Sequence, residues 1–259
     1  MCRFVAYSGE PIFLQTHLLD PVHSLINQSR GALESMYTVN GDGCGIGWYD
    51  ERKTPGRYRS VTPAWGDANL RSLCEQIRAP LFAGHIRAAT AGEVSTANCH
   101  PFAVGEHLFL HNGEIGGFRD LRRTVEAMIP DTLYAERKGG SDSEAIFLIA
   151  LGRGLADDPG GAMASTLTDI AAAQQAAGIA EPIYFAAVYA NGEKLHAFRW
   201  ASNHIGPTLY HRQADAGVVI ASEPYDKDHD AWSAVPEDSM VTVDGTGHVE
   251  IVPFLPRRG

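Results

Sequence analysis

The 259-residue sequence has few cysteines, no long apolar segment and a deficit of positive charge. Four cysteines are too few for the disulfide framework that holds many small secreted domains together. No apolar run reaches the roughly 20 residues of a membrane helix, and the N-terminus lacks a signal-peptide pattern. The net charge of −10 argues against a surface for nucleic acid or anionic membrane. These absences predict a cytoplasmic protein that binds neither nucleic acid nor membrane.

The composition and the order of the predicted elements indicate one globular domain. Hydrophobic residues make up 44% of the chain and charged residues 20%, as in ordinary globular proteins. Predicted strands lie at both ends of the sequence and predicted helices lie mainly between them, which favours an α+β fold over an alternating parallel one. No repeat, low-complexity tract or linker interrupts the pattern. We therefore expect a single domain over residues 1–259.

Local signals predict several strands and the turns between them. The apolar residues 4–7 form a strand that the turn-like residues 8–11 should end. Residues 107–111 form another strand, which should run into a turn at Asn112 and Gly113. The Asn191-Gly192 pair predicts a hairpin between the flanking strands, because this pair suits the tight turn of a two-residue loop.

Capping residues predict where the helices begin. Asp67 should cap a helix whose apolar residues recur at helical spacing up to Ile77, and Pro80 should stop that helix. Ser141 and Glu144 have the spacing of a capping box and should open a helix from Asp142 to about Leu155. A further helix is expected in the alanine-rich residues 162–177.

Cys2 is the first residue with two interpretations. It directly follows the initiator methionine, so removal of Met1 would leave one residue with both a thiol and a free α-amine. An amine with a pKa near ~8 can act as the base for the thiol, which is mostly protonated at neutral pH. Alternatively, Cys2 is a small residue at the start of a buried strand, where cysteines are commonly inert.

Three other segments place polar groups beside predicted strands or helices. The Asn112 amide and the Gly113 N–H could converge on one oxygen and form an oxyanion hole, or the pair could be only a turn. Arg87 could bind a carboxylate through two parallel hydrogen bonds, or pair with a surface acid. Asp142, in the first turn of its helix, could bind an ammonium group or simply suit the helix dipole. Together these groups suit acyl transfer from the side-chain amide of an α-amino acid.

The motifs resemble, in order and spacing, those of the class II glutamine amidotransferase domain. The similarity is carried by Cys2 and by residues 84–90, 98–102, 111–115 and 141–144. Two further segments, 40–49 (Asn-Gly-Asp-Gly-Cys-Gly-Ile-Gly-Trp-Tyr) and 221–224 (Ala-Ser-Glu-Pro), are similar to the stand-alone, YafJ-like branch of that family. The motifs cover the first 150 residues well and the remainder loosely.

The resemblance implies an N-terminal-nucleophile hydrolase fold, a four-layer αββα sandwich of two antiparallel sheets. It implies that Cys2 is the nucleophile, that its own amine is the base, and that Asn112 and Gly113 hold the oxyanion. Arg87 would bind the glutamine α-carboxylate and Asp142 its α-ammonium.

Thr90 matches a position that lines the glutamine pocket. Ala88 stands where the family often has tryptophan, and Ala91 where the sugar-phosphate branch has histidine, so the pocket shape differs from the family pattern.

The resemblance further implies a glutaminase-type amidohydrolase without cofactor or metal, and without a synthase domain. Glutamine, or another γ-glutamyl amide, would be the substrate, and a separate synthase could accept the ammonia. Alternatives are a hydrolase of a larger γ-glutamyl amide, as in the ergothioneine pathway, and a non-catalytic glutamine-binding regulatory subunit. A metal hydrolase built from His85, His100 and His111 is a further alternative, although these residues lack a known ligand spacing.

Overall fold

The computed structural model describes residues 2–34, 38–88 and 93–258. Its helices and strands follow the expected order, with strands at both ends and helices mainly between them. The helices are α1 (Gln15–Leu18), α2 (Leu25–Arg30), α3 (Ala68–Gln76), α4 (Phe118–Glu126), α5 (Asp131–Tyr134), α6 (Asp142–Gly152) and α7 (Pro159–Ala176). The strands are β1 (Arg3–Phe13), β2 (Cys44–Tyr49), β3 (Gly56–Ser60), β4 (Arg78–Ile86), β5 (Phe102–Val104), β6 (His107–Ile115), β7 (Ile183–Ala190), β8 (Leu195–Ala201), β9 (Tyr210–Ala214), β10 (Gly217–Ala221), β11 (Ser233–Ala234), β12 (Ser239–Val243) and β13 (Val249–Pro253).

The strands form two antiparallel sheets. The first has the order β11-β9-β10-β1-β4-β2-β3, and the second has the order β13-β12-β8-β7-β6-β5. β1, which follows Cys2, lies between β10 and β4 near the centre of the first sheet. β6, which carries Asn112 and Gly113, pairs with β5 and β7 in the second sheet.

The first sheet is buried on both faces, and its side chains alternate between two cores. In β1, Phe4 and Ala6 pack into a cluster that also contains Leu110 and Val188 of the second sheet. The intervening residues of β1 pack into a different cluster, with apolar residues of α1, α2 and α3. Because successive side chains of a strand point to opposite faces, one face of this sheet meets helices and the other meets the second sheet.

The second sheet is buried in the same way. Phe109 and Phe185 face away from the first sheet and pack against α4, α6 and α7, where Phe147 stacks on Phe109. The layers therefore run helix, sheet, sheet, helix, and the predicted α+β αββα sandwich is confirmed. Double burial also explains why strands such as β7 and β10 are continuously apolar rather than alternating.

The predicted ends of the first strand and of α3 are wrong. Residues 8–11 do not end the first strand, because β1 continues to Phe13 with an irregularity in its pairing to β4 between Ser8 and Ile12. Pro80 does not stop α3, which ends at Gln76; it lies inside β4, opposite that irregularity. A residue that cannot donate to a ladder is tolerated at such a bulge.

The predicted helix starts are confirmed, with one difference. Asp67 accepts a hydrogen bond from Leu70 N at 2.9 Å, and Ser141 accepts one from Glu144 N at 3.3 Å. The Glu144 carboxylate does not return to the cap; it accepts from Gly139 N and pairs with Arg137 instead. The capping box is therefore only half formed. The hairpin at Asn191-Gly192 is present between β7 and β8.

Two histidines, His85 and His100, meet where the two sheets approach each other, and the imidazole of a third, His111, lies on the opposite face of β6, where its Nδ1 is 2.9 Å from Ser143 Oγ. The rings of His85 and His100 stack with their centroids 4.1 Å apart, and His85 Nε2 lies 3.4 Å from the carbonyl oxygen of His111. Burial lowers the pKa of all three imidazoles, that of His85 to about 3. The three rings are consequently neutral at neutral pH.

The low pKa of His85 predicts a pH dependence of stability. Between pH 6.5 and about 3 the unfolded chain binds a proton at this residue and the folded chain does not, so the free energy of unfolding falls as the pH drops. One histidine contributes about 1.4 kcal/mol per pH unit within that window and nothing above it. His85→Gln should remove this contribution from the slope measured by urea unfolding between pH 7 and 4.5. The exposed His248→Gln is the control and should keep the wild-type slope; an unchanged slope in His85→Gln would contradict the prediction.

Candidate active site

The ends of three strands of the first sheet bring Cys2, Arg87 and Ser222 to one edge. Arg3 pairs with Ile86, and Val5 pairs with Ala221, so the start of β1 lies beside the ends of β4 and β10. By the alternation of the strands, Cys2, Arg87 and Ser222 share the face that points to the second sheet.

The Cys2 thiol contacts the backbone that follows β4. Its Sγ lies 3.4 Å from Ala88 N, which donates to it, and 3.5 Å from Ala88 O. Burial raises the pKa of the Cys2 thiol, while the Ala88 N–H and the positive charges of Arg87 and Arg3 oppose the rise. The thiol is therefore protonated at neutral pH and requires a base to become a nucleophile.

Asn112 and Gly113 lie inside β6 and do not form the predicted turn. β6 runs on to Ile115, and its pairing with β7 continues through Asn112–Ala186 and Gly113–Phe185. Gly113 has a φ of 137°, and a β-carbon there would lie 1.9 Å from the Tyr184 carbonyl oxygen. Only glycine fits this backbone, so the Asn-Gly pair is explained by a distortion within a strand.

The Asn112 side chain points between the sheets and is almost fully buried. Its Nδ2 lies 2.6 Å from Ser222 Oγ, which also accepts a hydrogen bond from Phe4 N at 3.0 Å. Asn112 Oδ1 has no hydrogen-bond partner among the described residues. The amide is thus joined through one serine hydroxyl to the strand that follows Cys2.

Arg87 is buried at the end of β4. Its backbone N–H donates to Gly43 O at 2.8 Å, and its carbonyl accepts from Asp42 N at 2.9 Å. The glycine-rich segment before β2 therefore fixes the backbone of Arg87. Arg87 Nη1 donates to Glu93 O at 3.4 Å.

Asp142 is buried at the start of α6, beside the end of β6. Its Oδ2 accepts from Ile115 N at 2.9 Å, and its Oδ1 accepts from Ser143 N at 2.8 Å. The first of these bonds holds the carboxylate against Ile115, which lies two residues after Gly113 in β6. Oδ1 also accepts from Ser143 Oγ at 3.3 Å, whereas Oδ2 keeps a second lone pair, so Asp142 can still accept from an ammonium group.

Asn98 connects the loops that carry Arg87 and Asp142. Its Nδ2 donates to Glu93 O at 2.9 Å, the same carbonyl that accepts from Arg87, and its Oδ1 accepts from Gly140 N at 2.7 Å. The sequence motif contained Asn98, but it gave no role for it. The sequence could not predict this link, because it does not show that the two loops meet.

Glu223 is the second residue for which the sequence predicted no role. Its buried carboxylate accepts from Leu33 N at 3.2 Å and from Glu34 N at 2.8 Å, and it lies 2.6 Å from His23 Nε2. Arg3 Nη1 lies 4.0 Å from the same carboxylate. Glu223 therefore anchors the segment after α2 against the start of β1.

Some of the predicted positions lie outside the described residues, namely Met1, Thr90 and Ala91. The remaining predicted residues gather around one edge of the space between the sheets: Cys2, Arg87, Asn112, Gly113 and Asp142. Their roles remain predictions.

A metal-binding cluster and a membrane-spanning helix are both absent from the residues that the structure describes. Within them, no group of three or more His, Cys, Asp or Glu side chains is placed to hold a metal ion. None of the helices in the described ranges is long and apolar enough to cross a membrane. Cys2, Cys44, Cys74 and Cys99 all carry free thiols.

Comparison with known families identifies a match over most of the chain. A sequence model described as "Glutamine amidotransferases class-II" matches residues 20–254. A γ-glutamyl-hercynylcysteine sulfoxide hydrolase of Mycolicibacterium smegmatis is 31% identical over 256 residues, which cover 98% of this chain and 100% of that protein. The probable glutamine amidotransferase DUG3 of Saccharomyces cerevisiae is 38% identical over 160 residues, but the match spans only 58% of this chain and 45% of DUG3.

Solved structures agree with this assignment. The class II glutamine aminotransferase domain protein of Silicibacter pomeroyi superposes with a TM-score of 0.79 at 34% identity, over 98% of this chain and 100% of that one. The glutamine phosphoribosylpyrophosphate amidotransferase of B. subtilis has a TM-score of 0.67 at 16% identity over 50% of its length, which shows a shared fold. The chain belongs to the class II glutamine amidotransferase family and is an enzyme of the N-terminal-nucleophile hydrolase type.

Proposed function

We propose that this enzyme hydrolyses the side-chain amide of glutamine, with Cys2 as the nucleophile. The observation that most supports this is the contact of one hydroxyl, Ser222 Oγ, with both Phe4 N and Asn112 Nδ2. That contact couples the strand of the thiol to the amide expected to stabilise an oxyanion. A thiol, an oxyanion donor, a guanidinium and a carboxylate at one edge suit cleavage of an amide in an amino acid.

The reaction begins with attack of Cys2 Sγ on the substrate Cδ. The α-amine of Cys2, free after removal of Met1, takes the thiol proton, and the C–S bond forms as the carbonyl becomes an oxyanion. Asn112 Nδ2 and Gly113 N donate to that oxyanion. The protonated amine then gives its proton to the leaving nitrogen, the C–N bond breaks, and ammonia departs from a γ-glutamyl thioester.

Water completes the cycle. The Cys2 amine removes a proton from the water that attacks the thioester, and glutamate leaves as the thiol is restored. Arg87 would hold the α-carboxylate and Asp142 the α-ammonium throughout, so that Cδ stays within reach of the sulfur. Glutamine and water are thereby converted to glutamate and ammonia. A separate ammonia-accepting synthase would be the partner if the ammonia is used, and four free thiols suit a reducing, cytoplasmic location.

A second candidate substrate is a γ-glutamyl amide larger than glutamine. It is favoured by the M. smegmatis γ-glutamyl-hercynylcysteine sulfoxide hydrolase, which matches this chain over its whole length. The proposed clamp of Arg87 and Asp142 contacts only the glutamyl half, so it does not select the leaving amine. The chemistry at Cys2 is the same for both substrates.

Replacement of the nucleophile should abolish the reaction. Cys2→Ala is expected to lower the rate of glutamate release about 10³-fold or more, because loss of a covalent nucleophile leaves only binding and oxyanion stabilisation. The assay uses protein in which mass spectrometry has verified removal of Met1. Cys74→Ala, which removes a buried thiol of α3, is the control and should retain activity. Full activity in Cys2→Ala would contradict the proposed mechanism.

Replacement of Asn112 should act on the chemical step rather than on binding. Asn112→Ala is expected to lower kcat by about 10²–10³, with KM changed less than about threefold, because the lost donor acts on the oxyanion. Steady-state kinetics with glutamine measure both constants. Asn69→Ala, on the exposed surface of α3, is the control. A raised KM with unchanged kcat would show that Asn112 only binds substrate.

A panel of amides should separate the two candidate substrates. Analogues of glutamine without the α-carboxylate or without the α-ammonium are expected to lose at least about 10² in kcat/KM, because each lacks one of the two charged groups that the clamp would bind. γ-Glutamyl amides with larger leaving amines should be hydrolysed at least as fast as glutamine if the second candidate is right. Hydrolysis of glutamine alone would exclude that candidate. Equal rates for the analogues that lack a charge would contradict the roles of Arg87 and Asp142.

A further inference from the structure

Ser222 is the one fully buried hydroxyl that touches both the nucleophile strand and Asn112 among the described contacts. It follows β10, in the segment that resembles the stand-alone branch of the family. Its Oγ accepts from Phe4 N at 3.0 Å, two residues after Cys2, and lies 2.6 Å from Asn112 Nδ2. One small side chain therefore bridges the two sheets at the edge where Cys2 lies.

The backbone of Ser222 is held from three directions. Its N–H donates to Phe4 O at 3.0 Å. Its carbonyl accepts from Thr208 Oγ1 at 2.7 Å and from Arg3 Nη1 at 3.3 Å. A side chain on so constrained a backbone has little freedom to move, which is what positioning another group requires.

The hydrogen atoms around Ser222 Oγ point to a particular orientation of Asn112. A hydroxyl has two acceptor lone pairs and one proton to donate. If both Phe4 N–H and Asn112 Nδ2–H donate to Oγ, both lone pairs are used and the hydroxyl proton must go elsewhere. At the same time Asn112 Oδ1 is buried without a hydrogen-bond partner among the described residues. The hydroxyl proton of Ser222 and the amide oxygen of Asn112 could pair with each other, but in this arrangement they do not.

A half-turn of the Asn112 amide about χ2 satisfies both groups. It places Oδ1 against Ser222 Oγ, which can then donate its proton to Oδ1 while still accepting from Phe4 N. A separation of 2.6 Å is short for an N–H···O bond but ordinary for an O–H···O bond. The amide Nδ2 then occupies the position that Oδ1 has now, on the face of β6 toward the first sheet, with its N–H groups available to an oxyanion.

We propose that Ser222 is the positioning residue of Asn112: its hydroxyl holds the amide oxygen, and so presents the amide nitrogen to the oxyanion. This role rests on the proposed function. Ser222 touches neither the substrate nor the thiol, and acts through Asn112. Phe4 N–H fills one lone pair of Ser222 Oγ, and the hydroxyl proton is left to donate to the amide oxygen.

The test is a double-mutant cycle on Met1-processed enzyme, with glutamine or the best substrate of the amide panel. Ser222→Ala should lower kcat about 10- to 100-fold with KM within about threefold, because a misplaced catalytic donor costs rate more than binding. Adding Ser222→Ala to Asn112→Ala should cause no further loss, because the hydroxyl would act only through the amide. Independent, multiplying losses would show that Ser222 has only a structural role and would overturn the proposal.

A second measurement tests whether Ser222 acts through Asn112 or through the strand that follows Cys2. Alkylation of Cys2 by iodoacetamide forms no oxyanion, so its rate should be the same in Ser222→Ala as in wild type, with the labelled site verified by mass spectrometry. A parallel fall in alkylation and hydrolysis would mean that Ser222 acts through Phe4 and Cys2, and would overturn the proposal.

Matched variants keep the test decisive. Ser29→Ala removes another fully buried serine hydroxyl, which donates within α2 to Ile26 O, and should leave kcat unchanged. If Ser222→Ala does not fold, Ser222→Cys conserves the volume and replaces a strong donor with a weak one, so kcat should fall and KM should not. An active wild type with an unimpaired Ser222 variant overturns only the role of Ser222. A wild type that hydrolyses no γ-glutamyl amide overturns the proposed function, and this role with it.

Discussion

The alternation of side chains along doubly buried strands decides which groups can meet in this enzyme. Phe4 and Leu110 enter the space between the sheets, so Cys2 and Asn112, two residues away on each strand, are directed to the same space. A shift of one residue in either strand would send these groups into the helical layers. The apolar cores on both sides prevent such a shift. The packing of the core therefore determines which side chains face the site.

Long-range hydrogen bonds then fix details that the sheets alone leave open. Ser222 joins Phe4 to Asn112, and Asn98 joins Glu93, the partner of Arg87, to the loop before Asp142. Each link connects a different pair of elements. The bonds of Ser222 are buried and those of Asn98 are partly buried. At a buried bond, a lost partner leaves an unsatisfied polar group and costs about 1–3 kcal/mol. We infer that the geometry around the thiol depends on these bridges as much as on the family motifs.

The sequence predicted what local signals encode. Asp67 and Ser141 correctly predicted two helices, and Asn191-Gly192 correctly predicted a hairpin. Caps and tight turns depend only on residues within a few positions of each other. The same local rule was wrong for Asn112 and Gly113, where pairing with β7 overrides the turn preference. The roles of Ser222 and Asn98 could not be predicted, because their partners lie 110 and 42 residues away in the chain. The resemblance to a family supplied the candidate residues, but not the contacts that orient them.

Burial makes the proposed chemistry depend on the chain terminus. It raises the pKa of the Cys2 thiol, so the nucleophile needs a base. It also lowers the pKa of the imidazoles of His85, His100 and His111, which makes these rings poor proton acceptors at neutral pH. An α-amine on Cys2 has a suitable pKa and is covalently fixed beside the sulfur. A chain that keeps Met1 has a peptide nitrogen at that position, which cannot take a proton. In the proposed mechanism, burial of the thiol therefore makes activity depend on removal of the first residue.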